Sequence, residues 1–236
     1  MLLGLTAIGS ALRQVFSRFA LLAGGNVTAM VLSIPLLAAV LLLTSFSSSL
    51  SFVPLGIAVF VGALPNPASI GLQVLTRDMA YNRSPDLYEQ WPGLRRYWRV
   101  ALKAWLISAG VTALCFLNVA FYVHQAASPT SELRGIAGPL SLLWGLLLVS
   151  WLAIHLYVAP LLLAQERPNI VLAYRNALVL TMSRPVASWT IIPIWLALLI
   201  FTSATALVTV IGLALAAAIQ ENALRVLLPT FSPATE

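Results

Sequence analysis

Few side chains in this sequence have types and positions that suit chemistry, and His155 is the foremost. It lies within the apolar segment WLAIHLYVAP, and an ionisable group inside a membrane segment is a functional candidate. Ser150 is close in sequence, but a serine hydrolase also needs an oxyanion site and access for its substrate, and no motif indicates either. The alternative interpretation of His155 is a neutral imidazole that is hydrogen-bonded to a neighbouring helix.

No other sequence pattern indicates catalysis. The chain contains no H-E-x-x-H motif, no glycine-rich phosphate loop and no cysteine and histidine at metal-binding spacing. Its one cysteine, Cys115, stands within an apolar run, where a free thiol usually behaves as a small apolar group. We therefore expect no enzyme, no catalytic or metal site and no cofactor.

A group of polar residues is predicted within the membrane, namely Asn26, Asn118 and His155. In addition, Pro65 and Pro67 should break the second span, because proline removes an intrahelical hydrogen bond. A polar site near this break and His155 favours a small transporter or permease. No Asp or Glu is predicted at membrane depth, which argues against an ion-driven carrier.

The elements that position these residues must be transmembrane helices. Of the 236 residues, 60% are hydrophobic and 8% are charged. Soluble domains carry about 25% charged residues, because their surfaces face water. A spanning helix needs about 20 mostly apolar residues. The chain therefore predicts an all-α, polytopic transmembrane helix bundle of about five spans.

We predict a single membrane domain, 1–236, that begins with an interfacial amphipathic helix over 1–18. Pro92 should separate a short surface helix from the third span. The spans are predicted at about 19–43, 52–75, 93–123, 136–164 and 186–219. Cytoplasmic connections with short surface helices are predicted over 76–92 and 165–185.

The basic residues are distributed unequally across these spans. Two of the 13, Arg134 and Arg225, fall on one side. The other 11 fall on the opposite side, namely Arg13, Arg18, Arg77, Arg83, Arg95, Arg96, Arg99, Lys103, Arg167, Arg175 and Arg184. Since basic residues accumulate on the cytoplasmic side, the pattern predicts a cytoplasmic N-terminus and a C-terminus outside.

A basic cluster is predicted where the third span begins. Its side chains are candidates for contact with anionic lipid headgroups, at ~1 kcal/mol each. The alternative is an orientation signal whose side chains extend to the interface. Either way, the excess of basic residues indicates a lipid bilayer rather than nucleic acid as the partner. The cluster consists of Arg95, Arg96, Arg99 and Lys103.

The two cytoplasmic connections carry charges of both signs. We expect them to pack together, with Arg175 paired with Glu166 or with headgroups, and to form a polar docking face. Such a face would bind another membrane protein subunit. The candidate docking residues are Asp86, Glu89, Arg95, Arg96, Glu166, Arg175 and Asn176.

Three stretches of the chain resemble the YesL family of bacterial multi-pass membrane proteins. They are NVTAMVLSIPLLAA over 26–39, DLYEQWPGLRRYW over 86–98 and LYVAPLLLAQERPNIVLAYRNALVL over 156–180. The last is the most specific, since it is similar to the family's Tyr-x-x-Pro-Leu-Leu-Leu, Gln-Glu-x-Pro and Arg-Asn-Ala elements. The segment around Pro65 departs from the family pattern, because many relatives are less broken there.

The resemblance implies a protein of the bacterial plasma membrane, in a family that has no established biochemical activity. Members of this family tend to be encoded near carbohydrate importers of the ATP-binding-cassette class. The implied function is therefore an accessory or structural subunit that docks on a larger membrane complex, in association with sugar uptake.

Overall fold

The computed structural model describes residues 2–45, 67–81, 83–204 and 211–228, with the backbone alone at 35–45 and 199–204. The regular structure of these residues is entirely helical, as the sequence predicts. The helices are α1 (Leu2–Ser17), α2 (Phe19–Ser45), α3 (Ile70–Ala80), a short 3-10 helix (Leu87–Glu89), α4 (Gln90–Ala127), α5 (Arg134–Leu163), α6 (Ile170–Ser183), α7 (Pro185–Ala204) and α8 (Leu213–Leu227).

Two helices are each long and apolar enough to cross a membrane. They are α4, extended at its start by the 3-10 turn, and α5. They pack against each other, and both expose leucines such as Leu114, Leu117 and Leu142 away from the protein interior. Exposed apolar rows of this kind are stable against lipid chains but not against water. These two helices correspond to the third and fourth predicted spans.

Two further pairs of helices are long and apolar enough to cross a membrane only if each pair forms one bent span. The axes of α1 and α2 differ by 94°, and those of α6 and α7 differ by 106°. The described residues therefore contain two helices that are long and apolar enough to cross a membrane, or up to four such spans if each bent pair is one span. Most of the predicted second span, including Pro65, lies outside these residues, and the expected number of about five spans stays a prediction.

Helix α4 continues through Pro92, so the predicted boundary at this residue is wrong. Pro92 is the third residue of α4. Backbone N–H groups in the first turn have no acceptor within their own helix, so a proline there sacrifices no hydrogen bond. The 3-10 helix leads directly into α4, whose 38 residues extend roughly 57 Å. This exceeds the ~30 Å apolar core of a bilayer.

The described residues of the fifth span predicted over 186–219 lie in α7 and at the start of α8. Helix α7 ends at Ala204, and α8 packs mainly against α1 and α3. The Arg225 guanidinium donates a hydrogen bond to the carbonyl of Ala80, which lies between Arg77 and Arg83 in sequence. The prediction that Arg225 is on the opposite side of the membrane from these two arginines is therefore wrong. That prediction assumed that 186–219 crosses the membrane as one span.

The core of the fold lies where α1, α5, α7 and α8 meet. Ala7 and Ala11 of α1 and Ala214 and Ala218 of α8 are fully buried in one apolar cluster. Small residues let helix backbones approach closely, which is the usual way that helices pack within membranes. Trp195 of α7 fills the same cluster with a large side chain. This packing holds the first and last described helices together.

Candidate functional site

The predicted docking residues are exposed, but they do not join the two connections. All seven residues are exposed. Among the residues that the structure describes, the one ion pair joins Arg83 to Asp78 at 3.2 Å. The expected pair between Arg175 and Glu166 is therefore absent, and so is packing through the seven charged and polar side chains. Their charges face outward instead.

Asp86, one of the predicted docking residues, has a structural role in the fold. Its Oδ1 atom accepts a hydrogen bond from the backbone N–H of Leu87 at 2.7 Å. This is the geometry of an N-cap, which satisfies a donor at the start of a helix. Asp86 thus begins the 3-10 turn that leads into α4.

A surface groove of about 780 Å³ lies beside this turn. Its lining is mostly apolar and combines one acidic with one basic residue. Glu89 and Arg95, both candidate docking residues, contribute to it. The lining residues are Tyr88, Glu89, Trp91, Pro92 and Arg95.

The basic cluster of α4 is exposed along the first turns of the helix. Two of its guanidinium groups lie over aromatic rings, with Arg96 5.4 Å from the ring centre of Tyr97 and Arg99 5.4 Å from that of Trp98. Such cation–π contacts orient the side chains, and each contributes about 0.5–1 kcal/mol of attraction at an exposed site. Arg95 and Lys103 complete the exposed row. Contact of this row with lipid headgroups stays a prediction.

His155 is fully buried between α4, α5 and α6. Its Nε2 atom lies 2.8 Å from Oγ of Ser108, so the serine that approaches the imidazole is not Ser150. The Trp151 ring stacks on the ring of Tyr174, with centroids 5.4 Å apart, and His155 lies beside both. Ser108 and His155 have the atoms of a nucleophile and a base, but each is 0% exposed, so a substrate has no approach to them. The geometry supports the packing interpretation of the histidine.

The other two intramembrane candidates have separate local partners. Asn26 is fully buried, and its Oδ1 atom accepts a hydrogen bond from the backbone N–H of Ala214 at 2.8 Å. Asn118 donates to the carbonyl of Leu114 in its own helix at 2.8 Å. The three predicted polar residues are therefore not brought to one site by these contacts. Pro67 lies in the turn before α3, while Pro65 falls outside the described part of the chain.

A polar junction between α1, α3 and α8 was not predicted. Gln14 of α1 donates to the carbonyl of Thr76 at 2.8 Å and accepts from Nδ2 of Asn222 at 2.6 Å. Nearby, Gln73 of α3 donates to Oε1 of Gln220 of α8 at 3.1 Å. Each contact joins helices far apart in sequence, and side-chain amides of this kind fix the register of packed helices in an apolar setting.

Glu221 is the buried acidic residue of this junction. Burial raises the pKa of its carboxyl to about 8, although nearby Arg77 acts to lower it. Its Oε1 atom has no hydrogen-bond partner among the described residues. The guanidinium of Arg77 itself donates to the carbonyl of Leu163 at the end of α5. The buried environment of Glu221 therefore favours the protonated carboxyl at neutral pH.

A cavity of about 450 Å³ opens beside the polar junction, and we call it the arginine cavity. Within the described part of the chain, its lining includes four arginines and no carboxylate. The lining residues are Ser10, Arg13, Gln14, Ser17, Arg18, Met79, Ala80, Arg83, Asn222 and Arg225.

Part of this cavity has a sequence signal. Ser10, Arg13, Gln14 and Ser17 follow the i, i+3, i+4, i+7 spacing of one helix face. That pattern identifies a polar stripe on α1. It does not reveal that Arg225, more than two hundred positions away, lines the same cavity.

The exposed charges of the α4 and α6 segments and the arginine cavity are thus the two candidate functional surfaces of the described residues. Comparison of the chain with family models, with curated proteins and with solved structures found no match.

Proposed function

We propose that this protein is an integral membrane subunit that binds a second membrane protein through the charged surface around α4 and α6. The single observation that supports this most is the outward exposure of Glu89, Arg95, Glu166 and Arg175. None of them forms an ion pair within the described residues. Charges of both signs therefore stay available to a partner.

The nature of the surface suggests the nature of the partner. The groove at Tyr88, Trp91 and Arg95 offers aromatic faces beside exposed charges. Aromatic residues and arginines contribute strongly to protein–protein binding when a partner excludes water from them. A cytoplasmic segment with complementary charges would fit this surface. The resemblance to the YesL family favours a carbohydrate importer of the ATP-binding-cassette class as the complex concerned.

The transporter alternative has less support. His155 is enclosed by Ser108, Trp151 and Tyr174, and Asn26 is bonded to α8. Side chains whose polar atoms are satisfied inside the bundle contribute to its packing rather than to a path for a solute. These contacts favour a membrane subunit over a transporter.

Copurification in a mild detergent tests this proposal. The test variant carries Arg95→Glu and Arg175→Glu, and the control carries Arg134→Glu, an exposed arginine at the opposite end of α5. We expect an importer subunit to copurify with the wild-type protein and the control and to be lost from the double variant. Equal recovery of that subunit from all three proteins would contradict the proposal.

A further inference from the structure

The arginine cavity has a chemistry that the docking function does not use. We propose that it binds a phosphate group, supplied by the headgroup of an anionic phospholipid. This proposal is independent of the partner surface at α4 and α6, because the two surfaces share no residue. The size of the cavity, about 450 Å³, falls within the range of small-molecule sites.

The charge of the lining selects an anion. Arg13, Arg18, Arg83 and Arg225 all line the cavity, and arginine stays protonated in proteins. Among the described residues, the carboxylate paired with this group is that of Asp78, 3.2 Å from Arg83. Four guanidinium groups beside one carboxylate leave an excess positive charge. A phosphate placed among them would relieve their mutual repulsion.

The hydrogen-bond donors of the cavity also suit phosphate. Arg13 is exposed and makes no hydrogen bond or ion pair with any described residue, so no described residue occupies its guanidinium. Arg18 donates to Oγ of Ser84 at 3.2 Å, and Arg225 donates to the Ala80 carbonyl. These contacts use one nitrogen of each guanidinium and hold the group in place. Guanidinium forks bind phosphate oxygens in pairs, which gives both strength and geometry.

The position of the cavity on α1 points to a lipid as the source of the phosphate. Helix α1 has a buried side, a polar stripe that lines the cavity, and an exposed apolar side that includes Leu2, Leu5 and Phe16. Phe16 is three positions after Arg13, so the two side chains lie on the same side of the helix. A helix with an apolar surface beside basic residues lies at the level of lipid headgroups. A headgroup phosphate could then reach the cavity while its acyl chains contact the apolar side.

Thermal unfolding of the full chain in a neutral detergent tests the proposal. The probes are phosphatidylglycerol, phosphatidylcholine and inorganic phosphate, each added over a range of concentrations. The test variant is Arg13→Gln, which removes a charge without removing a contact inside the protein. The matched control is Arg134→Gln, an exposed arginine outside the cavity. Unfolding without any probe checks that both variants are folded.

We expect phosphatidylglycerol to raise the unfolding temperature of the wild-type protein in a saturable way and phosphatidylcholine to have little effect. Loss of one charge-assisted hydrogen bond should weaken the apparent affinity of Arg13→Gln for phosphatidylglycerol about tenfold. Arg134→Gln should respond as the wild type does. Equal responses of the two variants would overturn the site. Saturable stabilisation by inorganic phosphate, with no response to phosphatidylglycerol, would overturn the lipid as its source.

Discussion

The Oδ1 atom of Asn26 lies 2.8 Å from the backbone nitrogen of Ala214 and accepts its hydrogen bond. Helix α2 is thereby joined to the beginning of α8 by a hydrogen bond from the backbone of one helix to a side chain of the other. Both residues are fully buried, so water cannot replace this acceptor. The contact shows how an amide inside an apolar bundle serves the fold instead of a ligand.

Asn26→Ala should therefore destabilise the protein by about 1–3 kcal/mol, because a buried hydrogen bond between two helices is lost. Asn118→Ala is the matched control, since the Asn118 amide bonds to a carbonyl in its own helix and is not fully buried. Unfolding in detergent, followed by circular dichroism, measures both. Equal losses of stability in the two variants would show that the Asn26 contact has no special weight.

Gly71 lies where α3 closely approaches the start of α4. A Cβ atom at this position would lie 2.8 Å from the carbonyl oxygen of Gln90, which is backbone and cannot rotate away. Gly71→Ala should therefore lower the unfolding temperature. In contrast, Gly110→Ala meets no atom within 4 Å and should stabilise α4 by roughly 0.5–1 kcal/mol, since alanine favours helix more than glycine does. An increase in stability for both variants would contradict the close packing of α3 on α4.

The contact between Ser108 and His155 predicts a stability effect rather than a functional one. Ser108→Ala removes the hydroxyl 2.8 Å from Nε2 and should cost about 1–3 kcal/mol, because the buried imidazole loses its partner. Ser150→Ala serves as the control, since Ser150 is half-buried and makes no side-chain hydrogen bond to a described residue. Chemical unfolding of the two variants measures the difference. A transport or binding defect in Ser108→Ala at unchanged stability would contradict the packing role of His155.

Glu221 predicts how stability depends on pH. Burial raises the pKa of its carboxyl from an ordinary value of 4.5 to about 8 in the folded protein. Between these values the folded state binds a proton that the unfolded state releases, so stability should fall as the pH rises through this range. Glu221→Gln, which resembles the protonated form, should abolish this part of the dependence.

Glu132→Gln is the control for this prediction, because Glu132 is exposed in the connection before α5. The stability of the Glu132→Gln variant should depend on pH as that of the wild-type protein does. Unfolding temperatures at a series of pH values between about 4.5 and about 8 provide the measurement. If Glu221→Gln retained the full wild-type dependence, the decline would have to arise from another group.

The two long apolar helices were predictable because their signal is local. The third and fourth spans, predicted at 93–123 and 136–164, coincide with α4 and α5, since each is a long run of apolar residues. The boundary at Pro92 was wrong because the effect of a proline depends on its position within a helix. In the first turn a proline sacrifices no hydrogen bond, and the helix began earlier than predicted.

The candidate sites were less predictable because they depend on which distant helices pack together. The apolar surroundings of His155 predicted that it is either buried or functional. To identify Ser108 as its partner, one must know how α4 and α5 align. Likewise, Arg225 was placed across the membrane because the segment before it reads as one continuous span. The contact of Arg225 with Ala80 follows from tertiary packing that no local pattern records.

The packing of α1 against α8 also has a consequence for biogenesis. Gln14 and Asn222, which join these helices, are 208 positions apart in sequence. During translation α1 leaves the ribosome long before α8. Ala7, Ala11 and Val15 of α1 are therefore not yet covered by α8 at that stage. Transiently exposed apolar surface of this kind is prone to misassembly. The fold can therefore be completed only after α8 has been synthesised. In a nascent chain that stalled before this helix, the apolar surface of α1 would stay exposed.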